Sequence, residues 1–208
     1  MNSYKIFISL LLFSAVNFVV AQDLVEKPQF QYFNKTEVGI GIGIGNFKTD
    51  LYPSGYQKTV KNDQIIVSPQ TINGIVISGR AGLGLGLGVE IWEKAMFYPV
   101  FAHFFYDLKP SDNTPFAYIN IGQAFGTRES TYYYASGKGG FLFSIGAGYK
   151  MKVGKRFQFE YALFYRYQAV LSNYKSYYSV ADSIEHYSTI DYKVSYHFAG
   201  FKIGVLFH

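Results

Sequence analysis

Residues 37–45 read Glu37-Val38-Gly39-Ile40-Gly41-Ile42-Gly43-Ile44-Gly45, and residues 82–90 read Gly82-Leu83-Gly84-Leu85-Gly86-Leu87-Gly88-Val89-Glu90. Both alternate with period two, the repeat of a strand and not of a helix. Val38, Ile40, Ile42 and Ile44 share one face; Gly39, Gly41, Gly43 and Gly45 share the other. Glycine is a poor strand former on propensity alone, so a row of it along one face must serve packing. A dinucleotide-binding G-x-G-x-x-G turn needs glycine where Ile44 stands and a helix after it. Neither is present in the sequence, so the runs read as strands.

Working outward, segments 65–78, 97–108, 115–126, 141–151, 157–169 and 191–207 also fit strands, making about eight in all. The links at 79–80, 109–114 and 152–155 are short; those at 47–64, 127–140 and 170–190 are long, with 93–96 a short exception. An even number of ten-residue strands with short turns at one end and longer loops at the other is the pattern of a transmembrane antiparallel up-and-down β-barrel. Both chain ends then fall on the short-turn, periplasmic side. In 157–169 one face carries Phe157, Phe159, Tyr161, Leu163, Tyr165 and Tyr167, and the other Gln158, Glu160, Ala162, Phe164, Arg166 and Gln168. Tyr and Phe at strand ends suit the headgroup level, where an apolar body meets a polar tip. A soluble lipocalin-type barrel would turn its apolar face inward. Against it stand the glycine rows, which would leave bare backbone facing water, and aromatic faces too continuous for a small ligand cavity. Tyr192, Val194 and Tyr196 share a parity opposite to that of Ala199, Phe201, Ile203, Val205 and Phe207, so a β-bulge is expected near Phe198 and Gly200.

Residues 1–21 have the charged start (Lys5), apolar stretch and small residue before Gln22 of a secretory signal peptide. The apolar run is broken by Ser14 and Asn17 and falls short of the ~20 residues of a spanning helix. Cleavage leaves 208 − 21 = 187 residues with a net charge of 5 − 1 = +4. The expected organisation is a signal peptide at 1–21, a periplasmic lead-in at 22–35 and a barrel at 36–208. Aromatic residues at 20% with charged residues at 16% exclude a disordered chain. Zero cysteine excludes disulfide scaffolds, thiolate metal sites and cysteine catalysis. A net charge of +5 spread over scattered basic residues speaks against nucleic acid as a partner.

The chain resembles the small eight-stranded outer-membrane β-barrel proteins of Bacteroidota, the porin-family or outer-membrane β-barrel domain. The resemblance rests on Ala21-Gln22, the glycine-alternating strands, Tyr98-Pro99-Val100-Phe101-Ala102-His103, Pro115-Phe116 and the closing Lys202-Ile203-Gly204-Val205-Leu206-Phe207. His208 follows Phe207, where such barrels often end on the aromatic itself. The resemblance implies an integral outer-membrane protein whose partners are outer-membrane lipids and the barrel assembly machinery. It implies no particular activity.

The residues themselves point to a filled lumen. Glu37, Glu90, Asp107 and Glu160 share inward positions with Lys150, Arg166 and Lys202. Charges in a narrow, poorly hydrated lumen are costly alone and are expected to pair, Lys150 with Glu160 as diagonal neighbours and Lys202 with Glu37. The inward bulk of Phe101, Phe105, Phe116, Tyr118 and Phe164 is expected to face a bare glycine wall opposite. No two of His103, His186, His197 and His208 have metal-ligand spacing. Ser183, Glu185, His186 and Ser188 gather in one polar link, but nothing in their spacing holds a nucleophile against a base. Neither catalysis nor a cofactor is expected. The long links are rich in tyrosine at Tyr132, Tyr133, Tyr134, Tyr174, Tyr177, Tyr178 and Tyr187, a residue suited to recognising an extracellular protein or glycan. The expected function is that of a plugged outer-membrane barrel with a structural or surface-interaction role. A lipid A-modifying enzyme, a narrow channel and a secretion component are the alternatives.

Overall fold

The computed structural model describes residues 30–51, 56–77, 79–92, 96–128, 135–154, 157–179 and 185–207; of these, 49–51, 56–58, 127–128, 135–138, 172–179 and 185–192 are described by backbone alone. The expected signal peptide, most of the lead-in, Tyr132, Tyr133, Tyr134, Ser183 and His208 lie outside the described residues. The strands are β1 (Gln31–Ile44), β2 (Asn46–Leu51), β3 (Tyr56–Lys61), β4 (Ile65–Ile77), β5 (Ala81–Gly88), β6 (Glu90–Trp92), β7 (Met96–Asp107), β8 (Thr114–Arg128), β9 (Ala135–Lys152), β10 (Phe157–Ser179) and β11 (Glu185–Phe207).

Every pairing is antiparallel, and the order β1-β11-β10-β9-β8-β7-β5-β4 closes where β4 returns to β1. β5 and β6 both lie between β4 and β7, so they are two halves of one stave interrupted at Val89. The Val89 N–H donates to the Pro69 carbonyl at 2.9 Å, which holds the interruption in place. The result is a closed all-β barrel of eight staves, with β2 and β3 forming a separate two-stranded ribbon in the link after β1.

Alternation sorts the side chains. Ile40, Ile42, Leu85 and Leu163 are 57%, 59%, 69% and 69% exposed on the outside, whereas Phe33, Phe105, Phe116, Tyr118 and Phe198 are buried inside beside Lys35, Glu37, Glu160 and Arg166. An apolar exterior around a polar and aromatic interior is the inverse of a soluble barrel, and it rules out the lipocalin alternative.

Four details depart from the sequence reading. β1 begins at Gln31, so the barrel takes in residues that the lead-in at 22–35 was expected to hold. β11 runs without a register shift from Phe207 to Glu185 against β10, so the bulge near Phe198 and Gly200 is absent. Val194 and Phe198 are both buried and share the inward parity of Lys202 and Leu206. The register shifts lie instead between Phe125 and Arg128, and between Leu171 and Ser172. The links expected at 127–140 and 170–190 are shorter than read, because β8 reaches Arg128, β9 begins at Ala135, and β10 and β11 pair as far out as Ser179 and Glu185. Finally, the inward aromatics do not face a bare wall opposite. Phe105 and Phe101 pair directly with Gly82 and Gly86 on the neighbouring stave, and a Cβ at either glycine would run into the ring. Each ring lies along the wall over the gap its neighbour leaves.

Candidate functional site

The interior end nearest the short turns is charged. Lys35 and Glu37 are two apart on β1 and so share the inward face; Lys202 on β11 pairs with Gly39 and is therefore diagonal to Glu37. Glu160 on β10 stands directly opposite Lys150 on β9 rather than diagonal to it, and Asp107 closes β7. Lys202 Nζ donates to Glu37 Oε1 at 2.7 Å. Lys35 Nζ lies 3.2 Å from Glu37 Oε2 and 3.3 Å from Glu160 Oε2. Lys150 Nζ lies 3.6 Å from Glu160 Oε1 and 2.9 Å from Asp107 Oδ1. Ammonium and carboxylate therefore alternate from one wall to the other: Lys202, Glu37, Lys35, Glu160, Lys150, Asp107. The cluster is electrically balanced, and only Asp107, at 15% side-chain exposure, reaches solvent appreciably.

Uncharged neighbours complete the coordination. Gln70 Nε2 donates to Glu37 Oε1 at 2.8 Å. Lys35 Nζ is 3.4 Å from His103 Nε2, and His103 Nδ1 is 2.6 Å from Asn120 Oδ1. An ammonium can only donate, so Nε2 accepts and the imidazole proton sits on Nδ1, donated to Asn120. Lys150 Nζ lies 3.6 Å from the Phe105 ring centroid and Lys202 Nζ 4.1 Å from that of Tyr118, so aromatic faces take the remaining sides of two ammonium groups.

A second pair lies toward the long-link end, where Arg166 contacts Glu90; both are buried, with Gln168 Oε1 accepting from Arg166 Nη2 at 3.5 Å. Beyond it, Trp92 packs on Phe97, Tyr196 and Phe198 with centroids 4.6, 5.0 and 5.1 Å apart. A barrel of eight strands is just wide enough for side chains to fill. Two ionic layers and an aromatic layer do so here.

The chain matches no protein-family model and no curated protein sequence. Its backbone is similar to that of the outer membrane protein OprG from Pseudomonas aeruginosa, with a TM-score of 0.53 at 9% identity over 83% of this chain and 95% of that one. It is similar also to the outer membrane protein AlkL, whose structure was determined in DMPC lipid bilayers, with a TM-score of 0.50 at 9% identity over 89% of this chain and 93% of that one. Neisserial surface protein A aligns over 86% of this chain and 99% of its own, with a TM-score of 0.46 at 11% identity. The fold is that of a small outer-membrane β-barrel. At these identities the likeness is one of fold.

Of the charged residues read from the sequence, the barrel brings Glu37, Asp107, Lys150, Glu160 and Lys202 into the first layer, and Glu90 with Arg166 into the second. Sequence reasoning missed Lys35, the cation that joins the two halves of the first layer. The signal was available: Phe33, Lys35, Glu37 and Gly39 continue one parity. Tyr174, Tyr177 and Tyr178 lie in β10 paired to β11, not in a loop; their side chains lie outside the description. Glu185, His186 and Ser188 likewise belong to β11. Among the described residues no group of His, Asp and Glu could hold a metal.

Proposed function

We propose that this protein is an integral outer-membrane barrel with a sealed lumen, acting as a structural or surface-interacting component without catalysis or conduction. The observation that carries this reading is the alternating chain Lys202-Glu37-Lys35-Glu160-Lys150-Asp107 across the lumen. An ion moving along the axis has to separate buried pairs, and stripping one partner from such a pair costs about 3–5 kcal/mol. The short turns face the periplasm, and the β10–β11 ribbon with Tyr174, Tyr177 and Tyr178 stands outside the cell, where an extracellular protein or glycan can reach it. A precursor that loses residues 1–21 during export fits this location, as does the resemblance to Bacteroidota barrels. The test is conductance. Purified protein in planar bilayers should show no steady current above the lipid baseline, and reproducible single-channel steps would overturn the sealed lumen.

A further inference from the structure

The outer face of the β10–β11 wall changes character at one level. Along the outward parity, Tyr161 pairs with Ile203, Leu163 with Phe201, Tyr165 with Ala199 and Tyr167 with His197. Up to Ala199 the β11 positions are apolar; farther out, the same face carries His197, Ser195 and Lys193. From Phe207 to His197 is ten residues, roughly 34 Å of strand and ~25 Å along the barrel axis at a tilt of ~40°, which is the height of the apolar band of an outer-membrane barrel. With Phe207 and Phe157 paired at one interface, centroids 6.2 Å apart, His197 falls at the other, level with the headgroups of the outer leaflet.

The groups there have donors left over. Tyr165 Oη lies 2.7 Å from His197 Nδ1, and Tyr167 Oη lies 2.9 Å from Ser195 Oγ. A phenol and a neutral imidazole hold two donor hydrogens and their mutual bond uses one; the two hydroxyls of the second pair do the same. Whichever tautomer His197 adopts, each pair therefore keeps one hydrogen to offer. Lys193, exposed four residues farther along β11, adds an ammonium, and no ion pair among the described residues engages Lys193 or His197. Asp191 follows two residues beyond it, so the cationic stretch ends at Lys193. The patch is held in shape: Asn62 Nδ2 donates to the His197 carbonyl at 2.7 Å, and the Tyr167 and His197 rings meet edge-on at 5.4 Å.

Surplus donors and a cation call for an acceptor-rich anion. We propose that this patch binds the phosphate of a phosphorylated outer-leaflet lipid, with Lys193 supplying charge and His197, Tyr165, Tyr167 and Ser195 supplying hydrogen bonds. A lipid is favoured over free phosphate because the patch opens sideways onto the apolar belt. Leu163 and Ile42, 69% and 59% exposed directly below, give acyl chains a continuous surface. The inference rests on the outer-membrane reading above.

The test is lipid retention by native mass spectrometry. The folded barrel is released from micelles after incubation with bisphosphorylated lipid A, with the same lipid stripped of its phosphates, or with millimolar inorganic phosphate as competitor. The phosphorylated lipid should be retained preferentially. Lys193→Gln with His197→Gln should lower that preference by about tenfold or more, as loss of a charged hydrogen bond predicts, while circular dichroism shows unchanged strand content. Equal retention of both lipids, or a folded double variant that still discriminates, would overturn the site. Complete competition by inorganic phosphate would overturn the lipid assignment. Insertion into vesicles is scored separately by protease protection of the strands. A barrel that inserts but does not discriminate fails this inference alone, whereas one that does not insert fails the membrane reading.

Discussion

Lys35 joins the two halves of the first ionic layer. Its ammonium touches two carboxylates and an imidazole, at 3.2, 3.3 and 3.4 Å, with 2% side-chain exposure. Removing it leaves Glu37 and Glu160 less compensated in a site with little water, and unpaired buried charge is the costly case. Lys35→Met should therefore lower stability by about 3–5 kcal/mol, read from urea unfolding of the barrel in lipid vesicles. The Glu90–Arg166 pair is simpler because it stands apart from the first layer. Arg166→Met alone should cost a similar ~3–5 kcal/mol, whereas Arg166→Met combined with Glu90→Gln should recover most of it. Strictly additive costs in that double-mutant cycle would mean the two groups are not coupled. Lys35 escapes a reading of hydropathy because its surroundings do not alternate in polarity. Outward Tyr32 and Asn34 both hydrogen-bond Asn73 Oδ1, at 2.6 and 2.8 Å, so near the turn end both faces are polar. Parity persists there, but contrast does not.

At the level of the strand, the glycine rows make room for aromatic rings on the adjacent stave. A methyl group at Gly86 would meet the Phe101 ring, and one at Gly82 the Phe105 ring, both fixed by direct register pairing. Gly86→Ala should destabilise by ~1–3 kcal/mol, as overpacking does, and Phe101→Leu in the same chain should return part of it, measured by the same unfolding transition. The absent bulge at Phe198 has a related lesson. Where β11 leaves the apolar belt, its outward face turns polar at His197, Ser195 and Lys193, while its inward face turns aromatic and apolar at Phe198, Tyr196 and Val194. Polarity changes sides while the chain keeps its phase, and from sequence alone that exchange is indistinguishable from a slipped residue. The eight staves were legible because most lie within the belt, where contrast is greatest. The outer ends of β10 and β11 were read as loop because that contrast ends there. Among the described residues, Tyr174 is the last of β10 to pair with β9, and beyond it β10 and β11 pair only with each other. Deleting 176–188 and joining Lys175 to Thr189 by an Asn-Gly turn should accordingly leave the urea midpoint of the barrel unchanged. A large drop would mean the ribbon supports the barrel instead of projecting from it.

For the molecule as a whole, the decisive asymmetry is between its two ends. One gathers the turns at 79–80 and 108–113 and the junction of β9 with β10 at 153–154, together with the start of β1 and the end of β11; the other carries the β2–β3 ribbon and the long β10–β11 extension. Barrels of this fold enter the membrane with short turns leading to the periplasm and longer segments outside. The absence of cysteine makes this directly measurable, since any introduced cysteine is the sole thiol. Val153, 62% exposed in a short turn, and Ser176, near the end of the β10 ribbon, report on opposite sides. A polyethylene-glycol maleimide too large for porins should label Ser176→Cys on intact cells. It should label Val153→Cys only after the outer membrane is permeabilised. Labelling of Val153→Cys alone on intact cells would invert the barrel and, with it, place the Lys193–His197 patch at the inner leaflet. Labelling of both without permeabilisation would mean the chain does not cross the membrane as a barrel at all.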